Sequence, residues 1–152
     1  MFQDYRRSLI PQSVQDVLDR TLKYWRLDRY VIGTNKKEPN YRFRLWSPYN
    51  PEAVPETIVA GFSLSQMPGC CGLCVSHDAY VISSLRGRGI GTALNELRIY
   101  LARNMGYTCL LCTDVDSNEP QKKILSKNGW KTNMTFCNKR TGNIVNLHSA
   151  LL

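Results

Sequence analysis

The feature that most constrains the fold is the run Arg86-Gly87-Arg88-Gly89-Ile90-Gly91-Thr92, which stands between a strand pattern and a helix pattern. Residues 80–83 are β-prone, and the apolar spacing over 90–104 favours a helix. Glycine lets the backbone approach a ligand closely and adopt positive φ. The first N–H groups of a helix can bind an anion, and arginines add charge-assisted hydrogen bonds. The run therefore predicts a phosphate-binding turn.

The spacing of the three glycines separates this turn from two common nucleotide-binding motifs. A dinucleotide fingerprint requires G-x-G-x-x-G, and a P-loop requires G-x-x-x-x-G-K-[ST]. The glycines here are spaced G-x-G-x-G, with no lysine and no Ser/Thr at the P-loop positions. Both motifs are excluded, and a turn that only connects a strand to a helix is the alternative interpretation.

The run resembles the acyl-CoA pyrophosphate loop of the GNAT superfamily of N-acetyltransferases. The pattern of that loop is Arg/Gln-x-x-Gly-x-Gly/Ala after a central strand. Arg86, Gly89 and Gly91 fit its fixed positions. Val81 stands five residues before the arginine, where the family keeps a strand valine or isoleucine.

A second signature of the same family follows in the chain. The apolar run 107–115 predicts a strand, Asn118 then opens a short helical stretch, and Lys127-Asn128-Gly129-Trp130 ends it. This order resembles the family's strand, Asn, two-turn helix and Lys-x-Gly-aromatic turn. The resemblance covers about residues 57–150 well and residues 1–56 only by rough topology.

The resemblance implies a fold and an activity. The expected fold class is α+β (mixed α/β), with a GNAT-like central sheet that is mostly antiparallel, splayed and flanked by helices, in a single acyl-CoA-binding domain over 1–152. The expected function is transfer of an acetyl (acyl) group from acetyl-CoA to an amine acceptor. Transfer is direct, through a ternary complex, so no covalent intermediate on the enzyme is implied.

The resemblance also assigns residues to the cofactor acetyl-CoA. The pantetheine arm pairs with the strand backbone, the glycine loop holds the pyrophosphate, and the asparagine faces the cofactor from the other side. A helix N-cap is the alternative role for that asparagine. The predicted cofactor-binding residues are Ala79, Val81, Arg86, Gly87, Arg88, Gly89, Ile90, Gly91, Thr92 and Asn118.

The general acid of the family has no direct counterpart here. The family often supplies it from a tyrosine seven residues beyond the asparagine, and this position is Leu125. Ser126 is adjacent and is the candidate acid, although neighbours on a helix point about 100° apart.

The candidate base is His77, because imidazole titrates near neutral pH. Strand alternation places it on one face with Val75 and Ala79, and predicts that Asp78 points the other way towards solvent. A structural strand histidine is the alternative interpretation.

The other elements follow from periodicity. Ser13-x-x-Asp16 resembles a capping box. The next helix is predicted to bury Val14, Val17, Leu18, Thr21, Leu22 and Trp25 on one face. Residues 33–40 predict a basic turn and 48–55 a proline-rich loop. Strands are predicted at 30–32, 41–46, 57–64, 73–83, 107–115, 130–137 and 143–150, with a helix beginning at Gly89.

Six cysteines raise the question of a metal site. Cys71-x-x-Cys74 and Cys109-x-x-Cys112 together have the spacing of a four-thiolate zinc site. Cys109 and Cys112 lie three apart in a predicted strand, so their side chains point to opposite faces. We therefore expect no metal and interpret the cysteines as small apolar residues.

Composition limits the class of protein. The 152 residues are 43% hydrophobic and 21% charged, which suits one globular domain. No apolar stretch approaches the roughly 20 residues of a membrane span, and residues 1–7 lack the apolar core of a signal peptide. A cytoplasmic protein without membrane association, monomeric or homodimeric, is expected.

A net charge of +8 suits an anionic cofactor and can also attract an acidic acceptor or nucleic acid. Segments where the family binds its acceptor are basic, at Lys36, Lys37, Lys139 and Arg140. The expected partner is an amine acceptor that is anionic or part of a macromolecule. A catalytically silent GNAT-fold binding module and a basic nucleic-acid-binding domain are the alternative functions.

Overall fold

The computed structural model describes residues 3–32, 40–47 and 57–152. Within these ranges the chain forms strands, α-helices and two short 3-10 turns. The strands are β1 (Gln3–Asp4), β2 (Arg26–Ile32), β3 (Asn40–Ser47), β4 (Thr57–Gln66), β5 (Leu73–Val81), β6 (Cys109–Val115), β7 (Lys131–Cys137) and β8 (Ile144–Leu151). The helices are α1 (Gln12–Thr21), α2 (Ile90–Asn104) and α3 (Glu119–Lys127).

All the strands belong to one mixed sheet in the order β1-β2-β3-β4-β5-β6-β8-β7. Neighbouring strands are antiparallel except β5 and β6, which are parallel. Parallel neighbours need a crossover connection, and α2 provides it. The predicted α+β class, with a mostly antiparallel sheet flanked by helices, is confirmed.

The parallel pair is short and opens into a fork. β5 and β6 pair only at Leu73–Cys109, Cys74–Leu110 and Val75–Leu111. Beyond this point β5 stays paired with β4, and β6 stays paired with β8. The edge of β5 that faces β6 therefore has no strand partner from Ser76 onwards within the described residues. The splayed arrangement expected from the resemblance is present.

The core lies between the sheet and helices α1 and α2. Val14 and Leu18 of α1 and Leu97 of α2 have no exposed surface. On the sheet, the rings of Phe43 and Phe62 stack with centroids 5.1 Å apart. Each such side chain contributes roughly 1.5–3 kcal/mol by burial, so this layer fixes the position of α2 against β4 and β5.

The predicted extent of the first helix was wrong at its C-terminus. The helix ends at Thr21, because Leu22 is extended, with φ −121° and ψ 127°. Trp25 therefore lies outside the helix, where its indole N–H donates to the Asp19 carboxylate at 2.8 Å. The Arg7 guanidinium stacks on the same ring at 4.4 Å. These contacts hold Trp25 outside the helix, although the apolar periodicity predicted that it would lie on the buried face of α1.

The predicted capping box at the start of α1 was also wrong. Pro11 occupies the N-cap position, and no side chain caps the helix there. Ser13 lies inside the helix, and its hydroxyl donates to the carboxylate of Glu96 on α2 instead. Ser13 therefore links the two helices.

Strict alternation along β5 is broken at Asp78. Its φ of 53° is the only positive value at a non-glycine residue among the described ones. His77 pairs with Ser63, whereas Tyr80 pairs with Gly61 two residues further along β4. The extra residue on β5 forms a β-bulge, so the residues beyond it lie on the opposite face of the sheet from the one that strict alternation predicts. The placement of His77 with Ala79 was therefore wrong, and His77 shares its face with Tyr80.

The remaining boundaries agree with the sequence to within a few residues. β5 ends at Val81, two residues earlier than predicted, and a 3-10 turn at Ser83–Leu85 follows. The predicted turn at 33–40 lies almost wholly outside the described residues, together with Lys36 and Lys37, as does the loop at 48–55. Among the described residues, no helix combines the length and apolar character that crossing a membrane requires.

Candidate functional site

A cavity of about 580 Å³ lies beside the part of β5 that β6 leaves unpaired. The end of β5, the glycine-arginine turn, the first half of α2 and the start of α3 form its walls. Eight of the ten predicted cofactor-binding residues line it: Ala79, Val81, Arg86, Gly87, Gly89, Gly91, Thr92 and Asn118. The fold thus brings both sequence motifs to one place, and the ligand contacts of these residues stay predictions.

The other two predicted residues do not line this cavity. Ile90 is only 1% exposed and belongs to the core. The side chain of Arg88 is exposed, while its backbone carbonyl accepts a hydrogen bond from the Thr21 hydroxyl at 3.4 Å. Consecutive residues in a turn cannot all direct their side chains to one side. Ile90 therefore packs in the core, and the side chain of Arg88 is exposed to solvent.

The geometry of the turn explains its glycines. Gly87 and Gly89 have φ values of 75° and 88°, a region that favours glycine. Gly89 is the N-cap of α2, so the first N–H groups of that helix open towards the cavity with no intrahelical partner. The Arg86 side chain donates from Nε to the Val81 carbonyl at 3.0 Å, which ties the turn to the end of β5.

Asn118 is the N-cap of α3, and its side-chain carbonyl accepts from the Gln121 backbone N–H at 3.3 Å. It also lines the cavity, so its capping role and a role facing a cofactor are compatible. The α3 side chains that face the cavity are Pro120, Gln121 and Ile124. Leu125, at the position of the family's tyrosine, is 1% exposed and packs in the core.

Ser126 is not brought to this cavity. It lines a separate cavity of about 280 Å³ together with Trp130 and His148. Two residues of an α-helix span about 200°, so Ser126 and Ile124 lie on opposite sides of α3. Its predicted role as the acid has no geometric support.

His77 sits in a short hydrogen-bonded chain on the open face of the sheet. Its Nδ1 lies 3.1 Å from the Asp78 carboxylate, and its Nε2 lies 3.2 Å from the Ser65 hydroxyl. Asp78 also pairs with the Arg42 guanidinium at 3.1 Å. The expectation that Asp78 points away from His77 was wrong, because the bulge turns its carboxylate onto the imidazole. A carboxylate at Nδ1 favours the tautomer in which Nε2 accepts a proton.

A third cavity, of about 440 Å³, adjoins this chain. Arg42, Asp78 and Tyr80 are among its lining residues. Tyr80 and Phe62 line this cavity and the larger one as well. Asp78 therefore lies where the open face of the sheet approaches the large cavity, and His77 is hydrogen-bonded to it but lines neither cavity.

Two buried polar residues of the large cavity were missed by the sequence analysis. Asn95 and Arg98 of α2 are 2% and 3% exposed and both line it. Arg98 donates to the Asn95 carbonyl from Nε at 3.1 Å and from Nη2 at 2.7 Å, and from Nη1 to the Ser76 hydroxyl at 3.3 Å. Burial lowers the pKa of Arg98. Its spacing of four from Leu94 was the available signal, since it puts Arg98 on the buried face of the helix.

The six cysteines are free thiols. Cys74 and Cys112 are buried, and burial raises the pKa of Cys74 to about 12 and that of Cys112 to about 11. Cys109 is partly buried, and the exposed ones are Cys70, Cys71 and Cys137. Thiols with such raised pKa values are poor nucleophiles.

A sequence model of the Acetyltransferase (GNAT) family matches residues 12–130 of the chain. The protein belongs to the GNAT acetyltransferase family. The resemblance drawn from the two motifs is thereby confirmed, and acetyltransferase is confirmed as the class of enzyme. No curated protein sequence matches this GNAT chain closely enough to count as a relative.

Several solved structures share the GNAT fold. IAA acetyltransferase from Bacillus cereus ATCC 14579 has a TM-score of 0.61 at 12% identity, over 100% of this chain and 99% of that one. Ribosomal-protein-S5-alanine acetyltransferase from Vibrio fischeri has a TM-score of 0.61 at 15% identity, over 74% and 61%. Mycobacterium smegmatis RimJ in complex with CoA-disulfide has a TM-score of 0.58 at 14% identity, over 74% and 53%. The chain thus spans less than two thirds of the last two.

Proposed function

We propose that this GNAT protein transfers an acetyl group from acetyl-CoA to the amine of an acceptor. The observation that carries the proposal is the cavity beside β5, where a glycine-arginine turn, a helix N-terminus and an unpaired strand edge meet. These are the three backbone features that a long, phosphorylated acyl carrier needs. RimJ, which shares the fold, was solved with a CoA disulfide.

The donor is held mainly by backbone groups. Its pyrophosphate binds the N–H groups of the turn and the first turn of α2, with the Arg86 guanidinium as a further donor. The pantetheine amides pair with Ala79 to Val81, because this edge of β5 has polar backbone groups without a strand partner in the described residues. The thioester then lies nearer the point where β5 and β6 separate.

The acceptor approaches from the open face of the sheet, through the cavity that Arg42, Asp78 and Tyr80 line. His77 takes a proton from the acceptor's ammonium group, and the Asp78 carboxylate holds the imidazole in the tautomer that can do so. The free amine then attacks the thioester carbonyl. Arg42 and the net charge of +8 favour an acceptor that carries negative charge or belongs to an anionic macromolecule.

We place this reaction in the cytoplasm, in one acyl-CoA-binding domain. All six cysteines are free thiols, and thiols are kept reduced in the cytosol. A reducing compartment is therefore the one that suits this set of cysteines.

The proposal is tested by calorimetric titration with CoA, followed by a thiol-release assay with acetyl-CoA and a panel of amines. We expect Arg86→Met to weaken CoA binding about 10–100-fold, since a hydrogen bond to a charged group contributes about 1.5–3 kcal/mol. Arg103→Met is the matched control, because Arg103 is exposed at the far end of α2. It should leave binding unchanged.

The same assays separate the alternatives. CoA binding without thiol release against any amine would indicate a silent binding module. Salt-sensitive binding of RNA or DNA that CoA does not affect would indicate a nucleic-acid-binding domain, because phosphate contacts release counterions.

A further inference from the structure

Arg98 is a buried cation that lacks a carboxylate counterion among the described residues. It is 3% exposed, and no carboxylate of the described residues forms an ion pair with it. Its partners are the neutral groups of Asn95 and Ser76, the Cys112 thiol and the ring of Trp130, which lies 4.9 Å from the guanidinium carbon. A buried charge costs several kcal/mol unless it is paired. An anion at this position would therefore be bound strongly.

Donors of Arg98 and Asn95 remain available to such an anion. A guanidinium has five N–H groups; the bonds to Asn95 and Ser76 use three of them, and the Cys112 thiol takes a fourth. The Asn95 carbonyl accepts two of these bonds, which turns its amide nitrogen away, and that nitrogen has no hydrogen-bond partner. Both residues line the large cavity. Two unfilled donor groups thus meet at the cavity wall.

The pair is placed at the reacting end of the donor, if the proposed function is correct. Arg98 lies eight residues beyond Ile90, which is about 12 Å along the helix from the phosphate-binding turn. Its partner Ser76 is the first residue of β5 beyond the last pair with β6. With pyrophosphate at the turn and pantetheine on Ala79 to Val81, the thioester falls beside Arg98.

We propose that Arg98 and Asn95 bind the sulfur of CoA and stabilise the negative charge that develops on it during transfer. The amine lone pair forms the new C–N bond, and the carbonyl π electrons move onto oxygen. As the carbonyl re-forms, the C–S bond breaks and its electron pair leaves on sulfur. His77 passes the ammonium proton to water and then accepts the second proton, which nitrogen loses as the amide forms, and the thiolate takes a proton from water after it is released.

This arrangement explains how transfer proceeds with leucine at the position of the family's acid. The thioester is neutral in the ground state, so the charge of Arg98 is compensated only as the thiolate forms. An interaction that strengthens in the transition state raises kcat and leaves the affinity for acetyl-CoA nearly unchanged.

The test measures the pKa of the CoA thiol in the complex of the enzyme with CoA. Two measurements report it: the ultraviolet absorbance of the thiolate and the pH dependence of CoA affinity. In the wild type, the bound thiol should ionise at least one pH unit below free CoA, which equals a tenfold preference for thiolate. Asn95→Asp has nearly the same shape and supplies the missing counterion. It should abolish this preference and lower kcat about 10²–10³-fold, as for a lost oxyanion donor.

Arg98→Lys keeps the positive charge and should retain part of the preference for bound thiolate over thiol. Arg103→Met should retain all of this preference. If the pKa of the bound thiol and kcat are the same in the wild type and in Asn95→Asp, the inference is overturned. The proposed function still stands in that case, provided that the wild type binds CoA and transfers the acetyl group. Faster transfer from a donor whose acyl chain ends in a carboxylate, lost in Asn95→Asp, would also overturn it, because Arg98 would then bind the acyl group. Failure of the wild type to bind CoA would overturn both.

Discussion

Replacing Gly91 by alanine should stabilise the free protein and weaken its binding of CoA. Gly91 lies in the first turn of α2, and its φ is not in the left-handed region, so alanine fits the backbone. An added Cβ would stand 3.4 Å from the Ile124 side chain, a contact that a small shift relieves. Alanine in place of glycine in a helix contributes roughly 0.5–1 kcal/mol, and the lower value applies in a first turn. The free protein should melt about 1–2 °C higher.

The effect on binding has the opposite sign. Gly91 lines the cavity beside Thr92 and Asn118, so the new methyl group occupies space between the helix N-terminus and the pyrophosphate. Loss of one hydrogen bond to a charged oxygen costs about 1.5–3 kcal/mol, which is about 10–100-fold in Kd. Differential scanning fluorimetry with and without CoA, and calorimetry for Kd, measure both effects on one sample.

Gly106→Ala is the control for a backbone effect alone. Gly106 has φ 86°, no atom lies within 4 Å of its added Cβ, and it does not line the cavity. It should lower the melting temperature through about 1–2 kcal/mol of left-handed strain and leave the Kd for CoA unchanged. Wild-type Kd in Gly91→Ala would refute close approach of a ligand to this turn. A lower melting temperature together with a weaker Kd would refute the separation of the two effects.

Three further outcomes are expected. His77→Ala should lower kcat roughly 10²–10⁴-fold with CoA affinity intact and should remove the acidic limb of the pH–rate profile; a wild-type rate at every pH would return His77 to a structural role. Leu97→Ala, at a position with no exposed surface, should cost about 2–5 kcal/mol in urea unfolding, and a loss below 1 kcal/mol would contradict the packing described. Because burial raises the pKa of Cys74 to about 12 and that of Cys112 to about 11, a thiol reagent at neutral pH should leave both unmodified in the native state. Peptide mapping that finds either one labelled as fast as the exposed thiols would contradict their burial. The exposed thiols are Cys70, Cys71 and Cys137.

Features that depend on neighbours in sequence were predictable. The glycine turn, the N-cap at Asn118 and the alternating strand at 41–46 each follow from backbone conformations or periodicities within a few residues. The turn was recognised because its spacing resembles the acyl-CoA loop of the GNAT family and does not fit two other phosphate-binding motifs. Eight of the ten predicted cofactor-binding residues then met in one cavity.

Features that depend on contacts across the fold were not predictable from the same patterns. The bulge at Asp78 is visible only in the register of β5 against β4, and it reverses the face on which the carboxylate lies. α1 ends early because Trp25 finds partners outside the helix. The spacing of Arg98 from Leu94 indicates the buried face of α2, but its charge favours solvent, and only the contacts with Asn95 and Ser76 show that the guanidinium is held inside.

The shortness of the parallel junction between β5 and β6 bears on how the chain folds. Strands β1 to β5 follow one another in the sheet as they do in sequence, so each can add to its predecessor by closing a modest loop. Val75 and Leu111 can meet only after α2 has packed, because the crossover sets the distance between their strands. With three residue pairs to stabilise it, this junction is the weaker connection between the two halves of the sheet, and we expect it to form late and to open early. A ligand bound across the fork would therefore strengthen the connection between the two halves of the sheet.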